Sequence, residues 1–207
     1  MNKKKIILTF VITLVIVLIV GCAVAAFILT RDNEVIKIKA EDISENTLVV
    51  NDEGTIQSAL VEDFAKDYYD IDELTDFVKE DLDNYNKANK TNISLVEAKS
   101  NNGKAVLVFD YDSIDEYSSY NGIKAKVFNA KEALKDERVP SNLIKNGEDG
   151  VVPKDRVYEN EKYITVVVDG DTEIIVNGKI KYYSGCDIIG EGRVLAKTGE
   201  RAVVVFK

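Results

Sequence analysis

The densest run of groups able to do chemistry lies between residues 62 and 85, where ten acids face only Lys66 and Lys79. Clustered carboxylates suit a hard cation such as calcium, which is bound through oxygen. Within "DYYDIDEL" the weak calcium candidates are Asp67, Asp70, Asp72 and Glu73. The stretch lacks the glycine and the closing glutamate of an EF-hand loop. A helix entry explains it more simply, since Asp70 and Glu73 have capping-box spacing and first-turn acids complement the helix dipole. A second set, Asp110, Asp112, Asp115 and Glu116 in "VFDYDSIDEY", has the residue types of a glycosidase pair. In a chain with 36 acids such a pattern arises by chance. "VDGDTE", from Val168 to Glu173, reads first as a hairpin turn and only second as a metal loop.

Composition removes other chemistries. The chain has no histidine, the commonest general base and metal ligand. Cys186, beside Asp187, reads as a buried, inert thiol, because an adjacent negative charge opposes thiolate formation. Phosphate loops, dinucleotide fingerprints and nucleophile elbows are missing. The expectation is a non-enzyme with no catalytic residue, no cofactor and no metal, and a carboxylate-based cell-wall or sugar hydrolase is the alternative. Ten tyrosines and no tryptophan raise a different possibility. Tyrosine joins an apolar ring to a polar tip, so Tyr68, Tyr69, Tyr117 and Tyr120 are the candidate binding surface for an envelope protein or glycan.

The remaining chemical signal is "IVGC", Ile19 to Cys22, which has the form of a lipobox and makes Cys22 a lipidation candidate. Residues 6–30 carry no charge over 25 positions. As a helix they would extend about 37 Å, beyond the roughly 30 Å hydrocarbon core. Cleavage before Cys22 would leave the apolar stub "AVAAFILT", whereas an uncut anchor leaves no such remainder. Lys3, Lys4 and Lys5 favour a cytoplasmic N-terminus and an extracellular C-terminal domain in the cell membrane. Full secretion after Ala25 is the third possible fate. Of 27 basic residues, 23 lie beyond residue 31 and face all 36 acids, a net of −13 against −9 for the whole chain. Nucleic acid is therefore an unsuitable partner, because its affinity depends on basic residues.

The elements that must position these groups follow from periodicity. "VIKIKA", Val35 to Ala40, alternates like a short strand within a connector spanning 31–45. "NTLVVNDEGTIQSALVEDF" reads as a hairpin around Asn51 to Gly54. A helix over 72–88 has Leu74, Phe77, Val78, Leu82 and Tyr85 on one stripe. A second hairpin turns at Asn101-Asn102-Gly103. Short helices are capped by Ser113 and by Asn129 with Glu132. A loop-rich boundary near 138–161 contains both prolines. Beyond it the period is two, which predicts a C-terminal β meander. The fold class expected is α+β: a transmembrane helix at 6–30 behind a cytoplasmic tail of residues 1–5, then one extracytoplasmic domain over 46–207. That domain consists of β-hairpins with one main covering helix.

"VVNDEGTIQSALVEDFAKDYYDIDELTDFVKEDLDNYN" and "KAVLVFDYDSIDEYSSYNGIKAKVF" resemble a family of clostridial (Lachnospiraceae-type) cell-envelope lipoproteins of unknown function. Its members share a "DGT/K…EDFDKDYY…ELKxFIxxEVxxYN" core, a "YxxxxDYxxFN" segment and a β-rich close. The similarity covers about residues 46–206 and is strongest over 49–128. It implies an envelope compartment and supplies no catalytic residues. Family members follow the lipobox cysteine with Gly or Ser, whereas Cys22 is followed by "AVAAFILT".

Overall fold

The computed structural model describes residues 35–51 and 54–207. The expected cytoplasmic tail, the apolar segment 6–30 and Cys22 lie outside the described residues, as do Asp52 and Glu53 of the first turn. Among the described residues no helix is long and apolar enough to cross a membrane.

The chain is α+β, with two sheets. Sheet A is built first from β1 (Thr47–Val50), β2 (Ile56–Asp63), β3 (Ser94–Asn101) and β4 (Lys104–Tyr111). Both expected hairpins form, β1 with β2 and β3 with β4. Later in the chain β9 (Glu173–Val176), β11 (Cys186–Gly190) and β12 (Arg193–Ala196) complete it in the order β11-β12-β9-β1-β2-β4-β3. Sheet B contains β5 (Ala125–Asn129), β6 (Asn142–Lys145), β7 (Val151–Pro153), β8 (Ile164–Asp169), β10 (Ile180–Ser184) and β13 (Arg201–Phe206), in the order β5-β8-β13-β10-β6-β7. All pairings are antiparallel except β1 with β9.

The C-terminal strands form, but not as a meander. The chain passes from β8 in sheet B to β9 in sheet A, back to β10, then to β11 and β12, and returns to β13. "VDGDTE" is therefore a crossing between sheets and not a hairpin turn. Asn177-Gly178 is another crossing. Gly178 is there for close approach: an added Cβ would come within 2.9 Å of Lys207 backbone carbon and the Phe206 ring. The runs "LVV", "AVLVF", "ITVVV" and "AVVVF" are apolar without alternation because both faces of these strands are covered. Leu48, Val50, Phe109, Ile174, Val166, Val204 and Phe206 meet in one core that draws on both sheets. On the outer face of sheet B, Phe128, Val167, Val203 and Val205 are covered by Val139, Leu143, Val157 and Tyr158. The segment 138–161, expected as a loop-rich boundary, is thus a structured cover holding β6, β7 and a short helix.

Helix α1 (Ile71–Asn89) starts where Asp70 accepts from the backbone N–H groups of Asp72 and Glu73, at 2.7 and 3.2 Å. It ends at Lys90 in the left-handed region. Val78 and Leu82 are buried, with Leu74 and Tyr85 beside them. Phe77, expected on this stripe, is 69% exposed. It stands about 100° around the helix from Val78, outside the narrow face that meets the sheet. At the other end Asn86 donates to the Ile93 carbonyl and accepts from Ile93 N–H and the Thr91 hydroxyl, clamping the helix to the start of β3. Helices α2 (Ile114–Asn121), α3 (Ala130–Lys135) and α4 (Lys154–Val157) are short. Ser113 caps α2, and Asn129 with Glu132 forms a full capping box on α3.

The expected strand over Val35–Ala40 does not form. This segment is an extended strap on the outer face of sheet A, running into a 3-10 turn at Ala40–Asp42. Its alternate N–H groups reach side chains instead of a neighbouring backbone. Ile36 donates to Asn51 Oδ1 (2.8 Å), Ile38 to Gln57 Oε1 (2.7 Å) and Ala40 to Glu97 Oε2 (2.8 Å). Ile38, Ala40 and Ile43 then pack on Ala59, Val106 and Val108.

Candidate functional site

The calcium candidates are not gathered. Asp70 spends its carboxylate as a helix cap, and Asp67, Asp72 and Glu73 are exposed. Among the described residues no three acidic, Cys or His side chains converge as a metal group would require. The second acidic set is likewise dispersed. Asp110 accepts from Gln57 Nε2 at 2.7 Å, Glu116 accepts from Asp112 N–H, and Asp115 pairs with Lys126 at 2.7 Å. Cys186 is buried in the core, which pushes its thiol up to about 12.

The four candidate tyrosines separate into two groups. Tyr117 is 3% exposed and meets Tyr111 edge-on at 5.5 Å. Burial raises its pKa, with a smaller contribution from Tyr111. Tyr120 is half-buried, packs edge-on against Tyr85 at 5.0 Å and donates to Asp81 Oδ2 at 3.0 Å. These two are therefore part of the packing between α1, α2 and sheet A, because the apolar face of α2 points inward; neither is free binding surface. Tyr68 and Tyr69 behave differently, being 75% and 44% exposed on the connection from β2 to α1. Tyr69 stacks on Phe64 with centroids 4.9 Å apart, and Tyr68 meets Tyr69 edge-on at the same distance. Three rings thus form a ledge whose outermost member is open to water. Sequence reading found the two tyrosines but not Phe64, whose place beside them depends on the turn at 66–69.

A cleft of about 380 Å³ opens at one end of sheet B. Lys124 and Lys126 share the parity of Phe128, and that parity puts them on the outer face. Lys126 lies opposite Val167 of β8, and Asp169 opposite Arg201 of β13. Arg138 arrives from the segment after α3, its guanidinium 4.9 Å above the Phe128 ring. Each arginine is held by a carboxylate through its Nε and Nη2 edge. Arg138 bonds Asp136 at 2.8 and 2.7 Å, and Arg201 bonds Asp169, with Nη2 at 2.9 Å. The Arg138 bond holds the Asp136 carboxyl down at about 2. Asp169 is lowered chiefly by Arg201, with Lys124 and Arg138 adding their charge. Nothing in sequence spacing announces this grouping, because its members come from three strands, a strand entry and a loop. No protein-family model, curated protein or solved structure matches the chain.

Proposed function

We propose that the protein is a membrane-anchored, extracytoplasmic binding module that acts without catalysis and engages an envelope protein or glycan through Phe64, Tyr68 and Tyr69. The observation that carries this reading is the ledge itself. A tyrosine three-quarters exposed yet backed by two further rings is an ordered apolar surface left uncovered among the described residues, and aromatic side chains dominate contact energetics. The charge state of the cleft carboxylates supports a non-enzyme. Asp136 and Asp169 are held below the usual range by arginines, and Glu97 by Lys99. A general acid needs the opposite displacement. In this reading the anchor is the uncut apolar segment 6–30, and the resemblance to clostridial lipoproteins supports an extracytoplasmic domain.

Cosedimentation of the full-length protein with isolated envelope glycan, and crosslinking in intact envelopes, test the binding face. Tyr68→Ala with Tyr69→Ala should weaken retention by about 1 kcal/mol or more, roughly fivefold. Unchanged retention of the double variant would remove the ledge from the proposal. Intact mass tests the anchor: loss of residues 1–21 with added acyl mass would replace the spanning helix by lipidation at Cys22.

A further inference from the structure

One end of sheet B concentrates positive charge in a part of the chain whose balance is otherwise strongly negative. Lys124, Lys126, Arg138 and Arg201 line the cleft, against the paired carboxylates of Asp115, Asp136 and Asp169. Three of the four cations are paired with these carboxylates, and Glu137 adds its charge beside Arg138, so the cleft is close to charge balance. Both arginine side chains remain 40% exposed. Each uses the Nε and Nη2 edge internally, so the Nη1 and Nη2 end of each fork still carries hydrogens aimed elsewhere. The carboxylates and the Phe128 ring hold the guanidiniums in place, so little side-chain entropy is lost when a ligand arrives.

We propose that this cleft binds a phosphodiester group. A cleft near charge balance, with both guanidinium forks still offering donors, suits a singly charged anion and not a dianion. A planar carboxylate is satisfied by one guanidinium fork, as Asp136 and Asp169 already show. Here donors approach from β5, from β13 and from the segment after α3, and several directions of approach suit tetrahedral oxygens. The adjoining cavity, about 670 Å³ and sharing Asp169 and Arg201, is walled by Asp171 and Glu200. That acidic wall repels a second anionic group on this side, so the site takes one diester at a time and not a contiguous polyanion. The inference is independent of the aromatic ledge.

The test is a titration of the full-length, isotope-labelled protein in an uncharged maltoside detergent with dimethyl phosphate at low salt, followed by amide chemical shifts. Saturable shifts at Lys124, Lys126, Arg138, Asp169 and Arg201 are expected. Binding should be at least tenfold weaker in Arg138→Gln and in Lys124→Glu. Arg138→Gln removes a partner of Asp136 and is judged only if its spectrum stays dispersed; Lys124→Glu changes an exposed side chain and keeps the test decisive. Tyr68→Ala should leave the titration unchanged, so failure of the ledge and failure of the cleft are separately visible. A lipid headgroup and a soluble diester present the same group. Phosphatidylglycerol bicelles against glycerophosphoglycerol distinguish them, and tighter binding of either supports the site. Shifts that do not saturate, acetate binding as tightly as dimethyl phosphate, or unchanged binding by Lys124→Glu would overturn it.

Discussion

Replacing Gln57 with leucine should release the strap over Val35–Ile43 while leaving sheet A intact. Gln57 is 5% exposed, accepts from Ile38 N–H at 2.7 Å and donates to Asp110 at 2.7 Å. Leucine keeps the volume and removes both bonds. Asp110 is half-exposed and recovers water, but the Ile38 N–H, on the half-buried side of the strap facing sheet A, loses its only side-chain acceptor among the described residues. A buried donor left unpaired costs about 1–3 kcal/mol, which is the upper bound for this half-buried one. At 1.4 kcal/mol per tenfold, that is roughly 5- to 150-fold more frequent opening. Hydrogen exchange is the assay. The amides of Ile36, Ile38 and Ala40 should accelerate together, whereas ladder amides of β1, β2 and β4 hold their protection. Acceleration spread evenly through sheet A, or confined to Ile38, would refute the idea that the strap opens as one unit. Acid should act on the same element through Glu97, whose pKa is lowered by Lys99 first and by Ala40 N–H second. A lowered carboxyl contributes stability above its ordinary value of 4.5 and loses it as pH falls through the folded value. Strap opening should therefore rise below about pH 4.5, and Glu97→Gln should remove that dependence.

Gly185 stands at the crossing from β10 to β11 with φ +65°, and an added Cβ would overlap the Arg201 carbonyl. Gly185→Ala should cost about 2–5 kcal/mol from left-handed strain plus overpacking, read as a lower urea midpoint. Asn86→Ala breaks three hydrogen bonds at the joint between α1 and β3. A loss of about 1–3 kcal/mol is expected in thermal denaturation, with Asn86→Asp intermediate. Asp136 should titrate near 2 against an ordinary 3.8, observed by carboxyl carbon shifts. Its stabilising pair with Arg138 is complete above 3.8 and lost only as pH falls through about 2; a midpoint at the ordinary value would break the account of the cleft.

The features legible in the sequence were those with local causes. The caps at Asp70, Ser113 and Asn129, the stripe of Leu74, Val78, Leu82 and Tyr85, and the hairpin glycine at 103 each act within a few residues, and the elements they predict are present. The unbroken apolar run of β13 goes with a central place in sheet B, between β8 and β10. Sheet membership was illegible, since a period of two is the same in either sheet. An Asp-Gly or Asn-Gly pair also looks alike whether the chain reverses in a hairpin or crosses a core. Tyr117 and Tyr120 show the same limit from another side: their spacing marks one face of α2 but not whether that face looks inward. Val35–Ala40 has strand alternation without a strand because its partners are side chains. The cationic cleft is assembled across long sequence separations, so only the register of β5, β8 and β13 reveals it.

The parallel pairing of β1 with β9 has a consequence for how the fold is made. Glu173 N–H reaches Asn46 O and Asn177 N–H reaches Val50 O, each across 127 positions of chain. Sheet B has an equivalent dependence, because β13 separates β8 from β10. As the polypeptide emerges from the ribosome its first hairpins can zip up, but sheet A is not whole until residues 193–196 have arrived, nor sheet B until residues 201–206. Closure is then late and slow, governed by long-range contacts. Until then the chain is held by its local hairpins and helices alone.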